Sequence, residues 1–205
     1  MKKPFLYKNL LHSCFGLLLL FFIVYSFNQI ALAKDCSAKE YQVITNKLEN
    51  IFQEKGFGYT IHYPADWVYA KSSPYTVLFS GQEGTDAFYS TISIQNVASK
   101  KRGGKYEDID SFVTDLKNQL MTGAKNTKIY NEKPLAYEKN WVKLTGKEFI
   151  AEYIRQGEHF KQRVIVIKRD TGEIFYAWFY TAPENLYNSF LPVAEAMLDS
   201  WTIIE

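Results

Sequence analysis

Apolar and polar positions follow two different periods along this chain, and the places where the period changes mark out its elements. Between residues 38 and 55, Tyr41, Ile44, Leu48, Ile51 and Phe52 fall at offsets 0, 3, 7, 10 and 11, the stripe of an amphipathic helix that Gly56 and Gly58 then close. From Phe57 the period becomes two. Phe57, Tyr59, Ile61 and Tyr63 share one side and Thr60 and His62 the other, which predicts a half-buried strand ended by Pro64. Residues 76–80 and 91–97 read as further strands on either side of the turn-forming Gly81-Gln82-Glu83-Gly84. Ile109, Phe112, Val113, Leu116 and Leu120 then restore the helical period, with Glu107 and Asp108 near the start, where the positive end of the helix dipole favours acids.

Residues 128–146 show no clean period, and Pro134 and Gly146 punctuate them; one or two short strands are expected. Three strands follow at 149–155, 160–168 and 173–181, joined by Gln156-Gly157-Glu158 and by Arg169-Asp170-Thr171-Gly172. Connections this short force an antiparallel meander. Residues 164–167 and 174–180 are apolar at consecutive positions, so both faces of these strands must be covered, with a helix on each side. Phe175, Tyr176, Trp178, Phe179 and Tyr180 therefore read as core more readily than as the lining of a ligand cleft. A last helix carries Tyr187, Phe190, Leu191, Ala194, Met197 and Leu198 on one stripe; Pro183 suits its first turn, and Pro192 predicts a kink or a break.

Residues 1–33 differ from everything after them. Lys2, Lys3 and Lys8 precede an apolar run from Cys14 to Tyr25, and Ala31-Leu32-Ala33 follows a polar break, the layout of a secretory signal peptide. The alternative is an uncleaved membrane anchor over residues 10–33. Cys14 opens the apolar run, and Lys34 and Asp35 precede Cys36, neither of which fits lipoprotein processing. Export to the periplasm or another extracytoplasmic face is the expectation, with residues 34–55 as an N-terminal helix and residues 56–205 as one domain.

Composition matters here chiefly through that leader. The chain has 24 Lys and Arg against 22 Asp and Glu; the leader holds three of the lysines and no acid, so the 172 residues after it carry 21 against 22. A near-neutral domain gives no ground for nucleic-acid binding. Cys36 alone remains, so no disulfide forms within the domain and packing must hold the fold.

The stretch Gly56-Phe57 leading into Tyr59-x-Ile61-x-Tyr63-Pro64-x-Asp66-Trp67 resembles the PsbP family, extrinsic proteins of photosystem II with many relatives in non-photosynthetic bacteria. Thr91-Ile92-Ser93-Ile94, the meander over 149–181 and the closing Ala196-Met197-Leu198-Asp199-Ser200-Trp201 extend the resemblance over roughly residues 56–205. It implies an α+β fold, an α/β/α sandwich around a mostly antiparallel sheet, and a binding or assembly role. A photosystem II partner would follow for a photosynthetic host. Calcium enters only by analogy with that family, and no cofactor is otherwise expected.

The candidates for chemistry are few. His62 and Asp66 are spaced for acid–base or metal work, yet His62 occupies the polar phase of its strand and Asp66 closes a Tyr63-Pro64-Ala65-Asp66 turn. His159 sits at a hairpin tip beside Glu158. Asp108 and Asp110 would suit a cation or, more simply, a helix start. H-E-x-x-H, C-x-x-C, EF-hand, nucleophile-elbow and P-loop signatures do not occur. Lys100, Lys101, Arg102 and Lys105 surround Gly103-Gly104 in a loop able to attract phosphate, anionic lipid or an acidic partner. The expectation is a non-enzymatic exported module that binds an envelope or membrane-associated protein. The alternative is a periplasmic small-ligand or metal-binding protein with a pocket between helix and sheet.

Overall fold

The computed structural model describes residues 48–169, 171 and 173–204; the leader, both cysteines and residues 38–47 of the first apolar stripe lie outside them. The described elements are β1 (Asn50–Glu54), β2 (Tyr59–Tyr63), β3 (Trp67–Ser73), β4 (Thr76–Gly81), β5 (Thr91–Ala98), α1 (Ile109–Gly123), β6 (Lys125–Lys139), β7 (Val142–Arg155), β8 (Glu158–Arg169), β9 (Ile174–Pro183), α2 (Glu184–Ser200) and β10 (Thr202–Ile203). Seven strands form one antiparallel sheet in the order β3-β4-β5-β9-β8-β7-β6, and β1-β2-β10 form a small second sheet. The helices pack on opposite faces of the large sheet, the α/β/α arrangement that the alternation predicts.

The expected central strands are central. Val164 and Val166 of β8 and Phe175 and Ala177 of β9 face α1, which places Phe112, Val113 and Leu116 over them. Ile165, Ile167, Tyr176, Trp178 and Tyr180 face the other way, towards Tyr187, Phe190, Val193, Ala194 and Met197 of α2. The small sheet extends that second cover. Its Tyr59 meets Tyr176 and Trp201 edge-on, at centroid distances of 5.9 and 6.3 Å, and Phe52 does the same to Phe79 at 5.5 Å.

Four local expectations are corrected. Residues 50–54 form β1, an edge strand paired with β2, so the helical stripe over 38–55 does not reach its predicted end. There Phe52 is buried and Ile51 is exposed, the alternation of a strand; pairing with β2 overrides helical spacing. Residues 128–146, expected to hold one or two short strands, lie instead in the longest hairpin, β6–β7. Its period is hidden because β6 is the outer strand, exposed along most of its length. Asn126 and Asn131, at φ 52° and 54°, fall where its register shifts, and Pro134 is tolerated on the free edge. Residues 67–73, where no element was expected, form β3. Finally, α2 runs unbroken through Pro192, whose exposed ring sits on the solvent side while Val193 and Ala194 seal the core.

Candidate docking surfaces

His62 is tied into the fold by its backbone. Its N–H donates to Ser200 Oγ at 2.9 Å, and that hydroxyl also lies within hydrogen-bonding distance of the His62 and Met197 carbonyls, at 3.2 and 2.7 Å. Asp66 is exposed in the turn that the Trp67 N–H closes onto the Pro64 carbonyl at 3.1 Å. His159 is half a hairpin tip away from any core, 3.8 Å from Glu184. Asp108 caps α1: it accepts from Ser111 N–H at 2.7 Å, the main reason its carboxyl is held below the usual range. Asp110 pairs with Lys147 at 2.6 Å. Among the described residues, no three His, Cys, Asp or Glu side chains gather as a metal would require.

The basic loop is built rather than loose. Residues 100–102 make one 3-10 turn, Gly103 adopts φ 80°, and a Cβ on Gly104 would meet the Ala98 carbonyl oxygen at 1.8 Å, so glycine is required there. Lys100 pairs with Glu107 at 3.4 Å, Lys101 with Glu173 at 2.9 Å and Lys105 with Asp115 at 2.8 Å. Glu107 precedes α1, Asp115 lies within it and Glu173 in the β8–β9 turn, and nothing in the local sequence of the loop announces the last two. The pairs are largely exposed, so each contributes little to stability. Open grooves of about 180 and 320 Å³ flank the start of α1; the larger is lined by Asp108, Ile109, Asp110, Thr145, Gly146, Lys147 and Lys168.

Because neighbouring strands run antiparallel, this loop shares one end of the sheet with the β1–β2, β3–β4, β6–β7 and β8–β9 turns and with Ile204. Direct contacts tie most of that end together. The Arg169 guanidinium donates to the Phe57 and Ile204 carbonyls, both at 3.1 Å; the Phe57 and Tyr75 rings lie 6.0 Å apart; and Ser99 N–H donates to the Glu173 carbonyl at 2.9 Å. Large side chains stand in solvent here: Trp141 at 102 % exposure, Tyr75 at 51 % and Ile204 at 48 %. Asn140 and Trp141 form the two-residue tip of β6–β7, at φ 49° and 68°, a mirror-image turn that normally selects Asn and Gly. Lys139 anchors the tip by donating to the carbonyls of Leu198, Asp199 and Trp201 at 2.9, 2.8 and 3.2 Å, a lysine cap on the C-terminus of α2. Burial lowers its affinity for the proton.

A second surface lies on the α1 face of the sheet. The helix covers β6 to β9, but among the described residues no helix covers the same face of β3, β4 and β5. Cross-strand partners share a face, so the register maps it: Val68 beside Ser80, Ala70 beside Leu78, Leu78 beside Ser93, Ser93 beside Phe179, Thr76 beside Gln95 and Thr91 beside Thr181. None of these ten side chains is ionisable, and all except Ser80 are at least partly exposed. Among the described residues, no strand pairs with the far edge of the outer strand β3. Trp141, Tyr75, Ile204 and this face were all missed in sequence. For Trp141 the signal was present: an Asn-Trp dipeptide between Tyr137-x-Lys139 and Val142-x-Leu144.

Charge beneath α2 serves as bracing. Arg163 spans buried Glu148 at 3.1 Å and Glu195 of α2 at 3.7 Å; Tyr130 donates to Glu152 at 2.5 Å, and Lys161 lies 3.4 Å from the same carboxylate.

No protein-family model matches the chain, and no curated protein matches it. Solved structures do. The cyanobacterial PsbP protein CyanoP of Synechocystis is 12 % identical, with 75 % of this chain and 91 % of that one covered at a TM-score of 0.50. The Ran-binding protein Mog1p of Saccharomyces cerevisiae is 10 % identical, covering 76 % and 95 % at 0.49, and LpqN of Mycobacterium tuberculosis, described as involved in cell envelope biogenesis, is 11 % identical, covering 76 % and 90 % at 0.49. The likeness to CyanoP is one of fold: this chain has the PsbP-like architecture that its short motifs predicted.

Proposed function

We propose that the chain is an exported, non-enzymatic PsbP-like module that binds the extramembrane part of a membrane or envelope protein. The observation that carries this reading is the half of the sheet on the α1 side that no described helix covers. Water-facing strands of a monomer alternate apolar residues with polar and charged ones. Here ten neighbouring positions from Val68 to Thr181 carry no charge, and an edge to which no described strand pairs adjoins them. Charge is depleted at the centre of protein interfaces for the same reason, because a desolvated charge costs more than it returns. The leader pattern of residues 1–33 supports an extracytoplasmic location, and the shared fold with CyanoP supports a binding module in general terms.

Photo-crosslinking in the native envelope tests it. A crosslinker placed at Ser93 or Ala70 of the full chain is expected to capture one discrete envelope or membrane protein, and Ser93→Arg, combined with the crosslinker at Ala70, to abolish that product. Equal labelling from Ser93 and from a control at His159, or a product insensitive to Ser93→Arg, overturns the reading.

A further inference from the structure

The end of the domain that holds the basic loop has a property that the bare sheet face lacks: it is cationic and aromatic together. Its turns, residues 55–58, 74–75, 99–108, 139–141 and 168–173, carry eight Lys and Arg against Glu107, Asp108, Glu173 and, by sequence, Asp170. The opposite end is the reverse in charge: among the described residues, 48–49, 64–66, 82–90, 124–125, 155–159 and 183–184 hold six acids against Lys125 and Arg155, with Ile51, Val68, Tyr69 and Met121 exposed nearby. The domain is thus polarised along its strands.

At the cationic end, Trp141 is the most exposed large apolar side chain. It gains no packing, being fully exposed, and it stands at φ 68°, where glycine or asparagine is the unstrained choice. Its turn is nevertheless held firmly, since Lys139 is bonded to three carbonyls at the end of α2 and Tyr137 accepts from Ile203 N–H at 2.7 Å. A rigid mount presenting a strained, solvated indole is a costly arrangement for a surface that touches only water.

We propose that this end docks on an anionic lipid surface, with Trp141 seated at the headgroup level and the Lys100-Lys101-Arg102 turn on the lipid phosphates. Tryptophan prefers the membrane interface because its ring is apolar and its N–H is polar. Each cation near an anionic leaflet adds to the attraction, and the acidic far end turns away from the same field. The strands then stand along the membrane normal, and the uncharged sheet face points sideways. The lipid contact does not depend on that face having a partner.

Fluorescence of the full chain separates the outcomes, because Trp67, Trp178 and Trp201 are buried and Trp141 alone is exposed. The probe is vesicles of brominated phosphatidylcholine with or without phosphatidylglycerol, at low and high salt. The expected result is quenching of the Trp141 component in the anionic vesicles, lost in neutral ones, reduced by salt and absent in Trp141→Gly. Reversal of Lys100, Lys101 and Arg102 to Glu is expected to weaken this docking on the order of 100-fold, with unchanged near-ultraviolet circular dichroism showing that the fold persists. Any insertion by the leader occurs with either lipid and with the triple reversal, so it cannot imitate this pattern. Equal quenching in neutral and anionic vesicles, or no quenching in either, overturns the proposal. Shielding of Trp141 in envelope extract without quenching in vesicles also overturns it and assigns the end to an acidic protein.

Discussion

The two faces of the seven-stranded sheet are finished differently. One is sealed over its centre: α2 covers its middle, β1, β2 and β10 extend the cover, and Tyr59, Tyr176, Trp178 and Trp201 have no exposed surface. The other is sealed over β6 to β9 by α1 and, among the described residues, left open over β3 to β5. Both faces belong to the same strands, so the difference is not one of strand chemistry alone. It follows from what each strand meets across the layer, and it divides the molecule into a side that holds it together and a side that remains available.

Experiments can attack that contrast in descending order of effect. The largest is alkaline unfolding. Burial raises the phenol pKa values of Tyr59 and Tyr180 on the sealed face. A pKa raised in the folded state means stability that is present below the unfolded value and lost as pH rises above it, so cooperative unfolding is expected above about pH 10. Tyrosinate absorbance and far-ultraviolet circular dichroism should change together; titration of these phenols in a folded chain would show the face is not sealed.

Next is Trp178→Ala, expected to cost about 3–5 kcal/mol as a cavity in the sealed layer, against about 3 kcal/mol or less for Phe112→Ala under α1. There Tyr106, stacked on Phe112 at 4.6 Å, can move into the space. Thermal unfolding measures both, and an equal or larger loss for Phe112 would erase the distinction. Lys139→Met should cost about 1–2 kcal/mol, since three carbonyls at the end of α2 lose a charged donor. Trp141→Gly should raise stability by about 0.5–1 kcal/mol, because it relieves a left-handed backbone and removes no packing. A stabilised variant that no longer docks would show the indole is kept for contact. Smallest is Ser93→Arg on the open face, expected within about 0.5 kcal/mol of the parent by thermal unfolding, while it removes partner capture.

Much of the architecture was legible in the order of residues. The stripe Ile109-Phe112-Val113-Leu116 became the buried face of α1, and the continuous apolar runs in β8 and β9 became the strands covered on both sides. The Tyr59-x-Ile61-x-Tyr63 alternation became β2, with Asp66 left in its turn and His62 held by backbone bonds. The candidate surfaces were less legible. The basic loop was visible, but its acidic partners come from Glu173 and Asp115, 72 and 10 residues from the lysines they meet. The open face spans four strands that are not consecutive in sequence, so no window could show that its ten positions adjoin.

Local order sufficed wherever a period or a turn repeats within a few residues, because backbone geometry ties that spacing to a helix face or a strand side. It failed for β1, whose helical spacing yielded to pairing with β2, and for β6, whose exposed edge position erased its alternation. It also could not say that one sheet face would be closed and the other half open. Those outcomes depend on which distant segments come to lie against each other, and burial is a property of that juxtaposition.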